Sequence, residues 1–359
     1  MSASFYEAHA VRYSRHDVSD RLAPSIFQYE THGMPVLTRR TQLLDLAFLV
    51  IIFAVSIVVV NPLGDFPLDD DWSYARAVKG LVEHGDWRPT GWTSATLITQ
   101  SLWGAIFCVA SGFSFNALRF STLTLALVGI LGVYVLFITN IRNRLLAVTA
   151  ALTLAFNPIY YVLSNTFMTD VPFTALAILS SIFFVRCIRR FGYLDLSIAC
   201  LLAVAATLCR QLGLFLPLAF AVALSIQRGF SIGWLARAIL PLMACVTALI
   251  VFQQWISITG RTPAQYGTFW DNESLSIKII GSRIDTALLY LGLFCLPILL
   301  LGSNKPWLNT NSIILRLLPT LSGKAHPAVP GRSICSMREP CAGEQRRAGG
   351  DIGWLGRDR

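Results

Sequence analysis

The sequence predicts an all-α polytopic membrane protein with about eight transmembrane helices and further surface helices in its first extracytoplasmic loop. Two observations carry this. Apolar residues make up 54% of the 359 residues and charged residues only 14%, where an average soluble domain has about 25% charged. Several apolar runs are also long enough to cross about 30 Å of hydrocarbon, and the mean hydropathy is +0.58. The net charge of +9 sits mostly in short loops and in the tail. That placement suits anionic lipid headgroups and membrane orientation, not nucleic acid. Membrane lipids are therefore the expected partners, and the oligomeric state is not legible. The eight cysteines include Cys187, Cys200, Cys209, Cys245 and Cys295 in or beside apolar runs, Cys108 in another, and Cys335 and Cys341 in the tail. None has metal-site or disulfide spacing, so they read as small buried hydrophobes.

Residues 1–40 are polar and carry Arg12, Arg15, Arg21, Arg39 and Arg40. They form a segment too long and mixed for a secretory signal, so the run that follows is an anchor. The first span covers about 42–60, with Asp45 near its start at headgroup level. Basic residues precede it, which puts the N-terminus in the cytoplasm. Residues 71–84 have a helical amphipathic pattern, with Trp72, Ala75, Val78, Leu81 and Val82 on one side and Arg76, Lys79 and Glu83 on the other. This reads as a helix on the membrane surface. Gly85-Asp86 ends it, and 87–92 is a loop with interfacial tryptophans. Further spans are expected at about 117–139, 145–163, 172–188, 194–209, 212–226, 235–256 and 284–301. Residues 303–359 are a polar segment and a Gly-, Arg- and Pro-rich tail with no apolar periodicity, expected to be disordered.

Residues 95–111 are apolar enough to span but short. Parity decides their role. If they do not cross, Arg142 and Arg144, then Arg186, Arg189 and Arg190, then Arg228 and Arg237 all fall inside, as positive-inside orientation requires. If they cross, every one of these clusters falls outside. The stretch therefore reads as a half-inserted or surface helix. A transmembrane domain over 41–302 results, with an outer loop at 61–116.

Four polar features then share the outer face. Asp69, Asp70 and Asp71 follow the first span, and three adjacent carboxylates need a cation, a proton or a basic partner nearby. Asp170 stands at the mouth of the fourth span. Arg210 and Gln211 lie between two apolar runs. The loop 257–283 carries Arg261, Tyr266, Trp270, Asp271, Glu273 and Arg283. Taken singly, the triplet reads as a solvated loop, Asp170 as a helix cap and Arg210 as a snorkelling side chain. Taken together, they are ionisable groups at one membrane boundary, where such groups mark function. An extracytoplasmic enzyme has no ready supply of nucleotide sugars, so a lipid-phosphate sugar is the natural membrane-borne donor. Its phosphate needs a cation, which Arg210 can supply. The acceptor hydroxyl needs a base, which a carboxylate beside another carboxylate can supply. A divalent ion (Mg, Mn or Zn) between Asp70 and Asp170 would find oxygen ligands there.

These residues resemble the GT-C glycosyltransferases that use polyprenyl-phosphate sugars, in particular bacterial relatives of lipid A aminoarabinose transferase and of protein O-mannosyltransferases. That family has an acidic pair after its first span, then a Tyr and a Gly-Asp-Trp element; Asp70-Asp71, Tyr74 and Gly85-Asp86-Trp87 are similar. Its Gly, then an Arg opening the second span, match Gly112 and Arg119. Its Asp-Pro-Phe-like element matches Asp170-Val171-Pro172-Phe173 with one residue inserted. Its basic residue at the outer end of the fifth span matches Arg210, although the family's form there is Lys-Gly. Its Lys-Pro or His-Pro-Pro element is replaced by Thr96-Leu97. The resemblance covers about 42–300, and the family's later spans and soluble C-terminal domain have no counterpart, as in a truncated or frame-shifted chain.

The resemblance implies an inverting glycosyltransferase of the bacterial inner membrane. Asp70 and Asp71 would be catalytic, with Asp70 as the base. Asp170, Arg210, Gln211 and Tyr74 would bind substrate, and a polyprenyl-phosphate sugar would be the donor. The competing expectations are a transporter or lipid flippase that uses the same carboxylates as a cation or proton site, and an inactive truncated transferase.

Overall fold

The computed structural model describes residues 39–190, 192–228 and 232–266, together with 284, 288–293 and 295–297. Within them the chain is helical and without strands: α1 Arg39–Val60, α2 Asp71–His84, α3 Ile98–Ser111, α4 Phe115–Ile141, α5 Arg144–Ala155, α6 Pro158–Ser164, α7 Asp170–Arg190, α8 Tyr193–Cys209, a 3-10 turn Gln211–Leu214, α9 Phe215–Arg228 and α10 Ile232–Ile258. The N-terminal segment up to residue 38, most of the span expected at 284–301 and the tail lie outside the described residues. So do Trp270, Asp271, Glu273 and Arg283.

Several of these helices are those of a membrane protein, but eight full spans are not what the described residues show. Four helices are long and apolar enough to cross, namely α1, α4, α7 and the Ala236–Ile258 part of α10. A fifth is present if α5 and α6, bent by 60°, make one span. The bend has a local cause. Asn157 leaves the helical region, and its side chain accepts hydrogen bonds from the amides of Ile159 and Tyr160. Pro158 then occupies the first turn of α6, where its missing N–H costs nothing. The helix α8, with 17 residues, reaches only about 25 Å at about 1.5 Å per residue, and α9 is shorter still.

Charge sorts the two ends of the bundle. At one end Arg144 donates to both Asp45 carboxylate oxygens, at 2.6–2.9 Å, and Tyr134 donates to the same group at 3.0 Å. Asp45 is thus buried and paired, which is the structural role expected of a carboxylate near the start of the first span. Arg186 pairs with Asp195 at 3.1 Å, and Arg237 donates to the Tyr193 hydroxyl at 2.9 Å, at the same end. The acidic loop and the starts of α2, α4 and α7 lie at the other end. Both ends of α3 are held there too. The Leu97 amide bonds the Cys209 carbonyl at the end of α8, and Ser114, just past α3, bonds Asp65 in the loop after α1. Since α3 starts and finishes at the acidic end, it does not cross, as the parity argument requires.

Small residues set the spacing between the crossing helices. A Cβ on Gly129 of α4 would lie 2.6 Å from the Tyr160 hydroxyl and 3.4 Å from Ala175 of α7. Glycine therefore lets α4, α6 and α7 close on a core of Leu49, Phe53, Ile130 and Tyr134. The described cysteines are free, and Cys108, Cys187, Cys209 and Cys245 are buried, as small apolar residues would be.

Candidate active site at the acidic end

The loop after α1 is fixed to the start of α4 before it reaches the carboxylates. Arg119, 2% exposed, donates to the carbonyls of Pro62 (2.9 Å), Gly64 and Phe66, and its guanidinium lies 5.1 Å from the Phe66 ring centre. Asp65 accepts from the Phe115 amide at 2.7 Å and from the Ser114 hydroxyl at 3.1 Å, while Asn116 accepts from the Gly64 amide at 2.8 Å. Asp69 then turns the chain with a φ of +55°, a region Asp enters more readily than most side chains.

The three consecutive carboxylates have unlike environments. Asp69 and Asp70 are exposed, while Asp71 is fully buried. Asp70 is the N-cap of α2, yet its side chain makes no capping hydrogen bond. Asp71 accepts from the Leu68 amide at 2.8 Å and from the Phe167 amide, just before α7, at 3.4 Å. Gln100 of α3 binds the other side of the same peptide segment, donating to the Phe167 carbonyl at 2.8 Å. Asp71 therefore joins the start of α2 to the start of α7, whereas the exposed Asp70 side chain makes no capping hydrogen bond.

Burial pushes the Asp71 carboxyl above its ordinary value, against the two amide hydrogen bonds and the nearby Arg119 charge, which pull it down. The folded state thus holds this proton more tightly than the unfolded state does. The group's contribution to stability falls as pH rises from about 4 through the raised value. We expect Asp71→Asn to remove this term. Thermal unfolding of the detergent-solubilised protein should show the wild type gaining on the variant as pH is lowered from 7 towards 4, and a constant difference would contradict this. Asp71→Ala should be the worse substitution at every pH, because the buried Phe167 amide loses its acceptor at about 1–3 kcal/mol and the part-buried Leu68 amide loses its own as well.

Asp170 and Arg210 meet directly. Asp170 lies in the first turn of α7, and Arg210 ends α8 in an extended conformation. Its guanidinium is ion-paired with the Asp170 carboxylate. The Arg210 backbone is held from several sides. Its amide bonds the Ala206 carbonyl at 2.8 Å, and Thr96 caps the Thr207 carbonyl at 2.8 Å. Beyond it, a Cβ on Gly213 would lie 2.6 Å from the Thr207 Cα, so only glycine allows the 3-10 turn to fold back against α8. Gln211 donates to the Ser94 carbonyl at 2.8 Å, so its side-chain amide is engaged in holding the loop before α3.

Tyr74, half-buried one turn into α2, unites these groups. Burial raises its hydroxyl pKa, Arg210 opposes the rise, and Asp170 and Asp70 add to it. All three charges thus reach this phenol, which stays protonated at neutral pH and can donate a hydrogen bond. Among these groups the direct contact is the Asp170–Arg210 ion pair, and the charges of Asp70, Asp170 and Arg210 all act on the Tyr74 hydroxyl, while the side chains of Asp71 and Gln211 are engaged with the backbone.

The residues do not suit a divalent ion between Asp70 and Asp170. The Asp170 carboxylate is neutralised by Arg210, whose charge would repel a second cation. Among the described residues no three His, Cys, Asp or Glu side chains cluster as metal ligands.

Three framework features escaped the sequence reading. Gly85-Asp86 ends α2 as the sequence predicts, but the tie of Asp86 and Trp87 to the end of α10 was not foreseen. Gly85 ends α2 with a φ of +68°, Asp86 pairs with Arg261 at 2.6 Å, and Trp87 packs on Phe252 and Trp255. Ser73, Thr90 and Thr93 bring their hydroxyls together beneath the loop. Trp72 is exposed, and so it is corrected from the apolar face of α2 to the outer one. It shares that face with Arg76, whereas Ala75, Ala77 and Val78 turn inward. Its i, i+4 spacing from Arg76 was the available signal.

Residues 98–258, a little under half of the chain, match the family model of dolichyl-phosphate-mannose-protein mannosyltransferases. No curated protein and no solved structure matches the chain.

Proposed function

We propose that this chain is a membrane glycosyltransferase that moves a sugar from a polyprenyl-phosphate donor to a lipid, glycan or protein acceptor. The observation that carries the reading is the Asp170–Arg210 ion pair at the acidic end of the bundle, where Asp70 and Tyr74 also lie. The family match over 98–258 supports the same chemistry and includes both Asp170 and Arg210. The acidic end is the extracytoplasmic one in this reading, because the arginine-rich end then faces the cytoplasm of a bacterial inner membrane.

In the reaction, Asp70 accepts the proton of the acceptor hydroxyl as its oxygen attacks the anomeric carbon. The bond from that carbon to the phosphate oxygen breaks, and polyprenyl phosphate leaves with inversion. Arg210 faces the charge that develops on the departing phosphate, which is where a fixed cation contributes most. Asp170 orients the guanidinium, and the Tyr74 hydroxyl donates to an oxygen of the donor. Asp71 holds α2 against α7, so the base and the cation keep their separation.

The test is transfer of label by the purified full chain in proteoliposomes containing radiolabelled polyprenyl-phosphate sugars. Mannose is the first sugar to try, because the matched family carries it in its description. Label should pass to the lipid or protein fraction and should persist with EDTA present. A chain that inserts and folds but moves no label from any such donor would overturn the reading.

A further inference from the structure

The arginine-rich end of the bundle holds more positive charge than its own carboxylates balance. Two acidic side chains lie there among the described residues, and both are taken, Asp45 by Arg144 at 2.6 Å and Asp195 by Arg186 at 3.1 Å. Arg39, Arg40, Arg142, Arg189 and Arg190 are exposed at the same end. Of these, Arg142 and Arg190 form no ion pair with an acidic side chain among the described residues. Membrane orientation needs only that such charges be present. It does not require any two of them to be held together.

Two of them are nevertheless held together. Arg142 closes α4 in the left-handed region, with φ +57° and ψ +24°, and its amide bonds the Ile138 carbonyl at 3.2 Å. Glycine or asparagine usually fills such a cap, because a Cβ is crowded against the backbone there. The next carbonyl of that turn, on Thr139, accepts from the Arg189 guanidinium of α7 at 3.4 Å. The two arginines are therefore fixed on adjacent carbonyls of one helix end, and the Arg142 charge acts on Arg189. Like charges held on one helix end repel, and an anion between them turns that repulsion into attraction. The setting supplies a surface for the rest of such a ligand. Both α4 and α7 are long and apolar enough to cross the membrane, which puts their common end at the lipid boundary. Leu145, in the first turn of α5, is 63% exposed at the same end.

We propose that Arg142 and Arg189 bind the phosphodiester headgroup of an anionic phospholipid. Each guanidinium presents a planar fork of donors that matches two phosphate oxygens. Basic sites between the ends of spanning helices take lipids of this class. The bilayer delivers the ligand to this depth, and its acyl chains then lie along the apolar outside of the bundle. A zwitterionic headgroup is disfavoured, since its ammonium would meet the same arginines and the neighbouring Arg190. The site lies at the opposite end from Arg210, and it does not rest on the transfer reaction.

The experiment is native mass spectrometry of the full chain, delipidated in a neutral detergent and titrated with phosphatidylglycerol, phosphatidylcholine, glycerol phosphate and a tetra-aspartate peptide. Phosphatidylglycerol should be retained at least about tenfold more tightly than the other three. Arg142→Asn should weaken it about fivefold, the scale of one basic residue at an anionic lipid surface, and Arg189→Gln should do the same. Arg40→Gln removes the same charge from α1, outside the site, and should change binding by less than about twofold. Asparagine accepts the left-handed cap, so Arg142→Asn should unfold in lipid-free detergent at the wild-type temperature or above it. Lipid affinity and stability then move apart, which a purely structural cap does not allow. Phosphatidylcholine binding as tightly as phosphatidylglycerol, or Arg40→Gln weakening binding as much as Arg142→Asn, would overturn the site. Glycerol phosphate or the peptide binding as tightly would overturn the lipid in favour of a soluble anion or an acidic protein. An Arg142→Asn variant that keeps wild-type lipid binding, or that unfolds at a lower temperature, would overturn the assignment and leave Arg142 a helix cap.

Discussion

Asp70→Asn is expected to lower sugar transfer by at least about 100-fold, the scale of a lost general base, without changing protein yield, unfolding temperature or donor binding. Asparagine keeps the shape of aspartate and removes its basicity. The side chain is exposed at the N-cap and makes no capping hydrogen bond, so stability should not register the change. Position matters as much as charge, because proton transfer needs hydrogen-bond reach of about 2.6–3.2 Å. Arg119 and Asp65 fix the approach to Asp70, and Asp71 fixes the exit. The neighbour is the control. Asp69 is also exposed, but it occupies the left-handed turn, which asparagine tolerates well. Asp69→Asn should therefore transfer sugar nearly as wild type does. Steady-state rates of the two variants in proteoliposomes check the register, and a reversed pattern would place the base one residue earlier.

Arg210→Ala is expected to weaken use of the donor by about 2–5 kcal/mol, the usual cost of removing one partner of a charged hydrogen bond. That is a loss of roughly 30-fold or more. The residue faces the phosphate in the ground state and more strongly as charge develops on the leaving group, so the deficit should appear in both KM and kcat. Arg210→Lys should fall between, because a point charge cannot hold the Asp170 carboxylate and a phosphate with one planar fork. Asp170→Asn should affect the rate less than Arg210→Ala, since the guanidinium remains and only its orientation loosens. Donor titrations of the three variants give the order directly. An Arg210→Ala variant with unchanged donor dependence would reduce Arg210 to a snorkelling side chain.

The sequence showed the long apolar helices well, because α1, α4, α7 and α10 are each written as one uninterrupted run. It showed α5 and α6 less well. Continuous hydrophobicity across 145–163 hid the Asn157-Pro158 break, although both residues are helix punctuation. The non-crossing path of α3 came from counting arginines in loops, a signal carried by the whole chain. On α2 only Trp72 was misplaced, because tryptophan counts as apolar, while Ala75, Val78, Leu81 and Val82 pack inward as expected. Packing chose the small residues Ala75, Ala77 and Val78 for the tight side and left the large ring outside.

The candidate site divides in the same way. Asp70, Asp170 and Arg210 could be named as candidates from residue type and topology, and Tyr74 from the family resemblance. What could not be named was who holds whom. The bond from the Phe167 amide to Asp71, the ion pair between Asp170 and Arg210, and the Asp86–Arg261 anchor join segments far apart in sequence, and nothing in the local pattern of either partner encodes the other. Asp45 shows the same limit. Its structural role could be expected, but its partners Tyr134 and Arg144 lie in other helices and could not be named.

The central claim is that one site at the acidic end of the bundle holds the lipid-phosphate donor. Photo-crosslinking tests it most directly, with a polyprenyl-phosphate sugar that carries a diazirine next to the phosphate, followed by mass spectrometry of the labelled peptides. The account predicts label in the peptides around Tyr74 and around Arg210, lost on competition with unmodified donor and much reduced in Arg210→Ala. Competable label confined to the opposite end, around Asp45, Arg144 and Arg186, would contradict it.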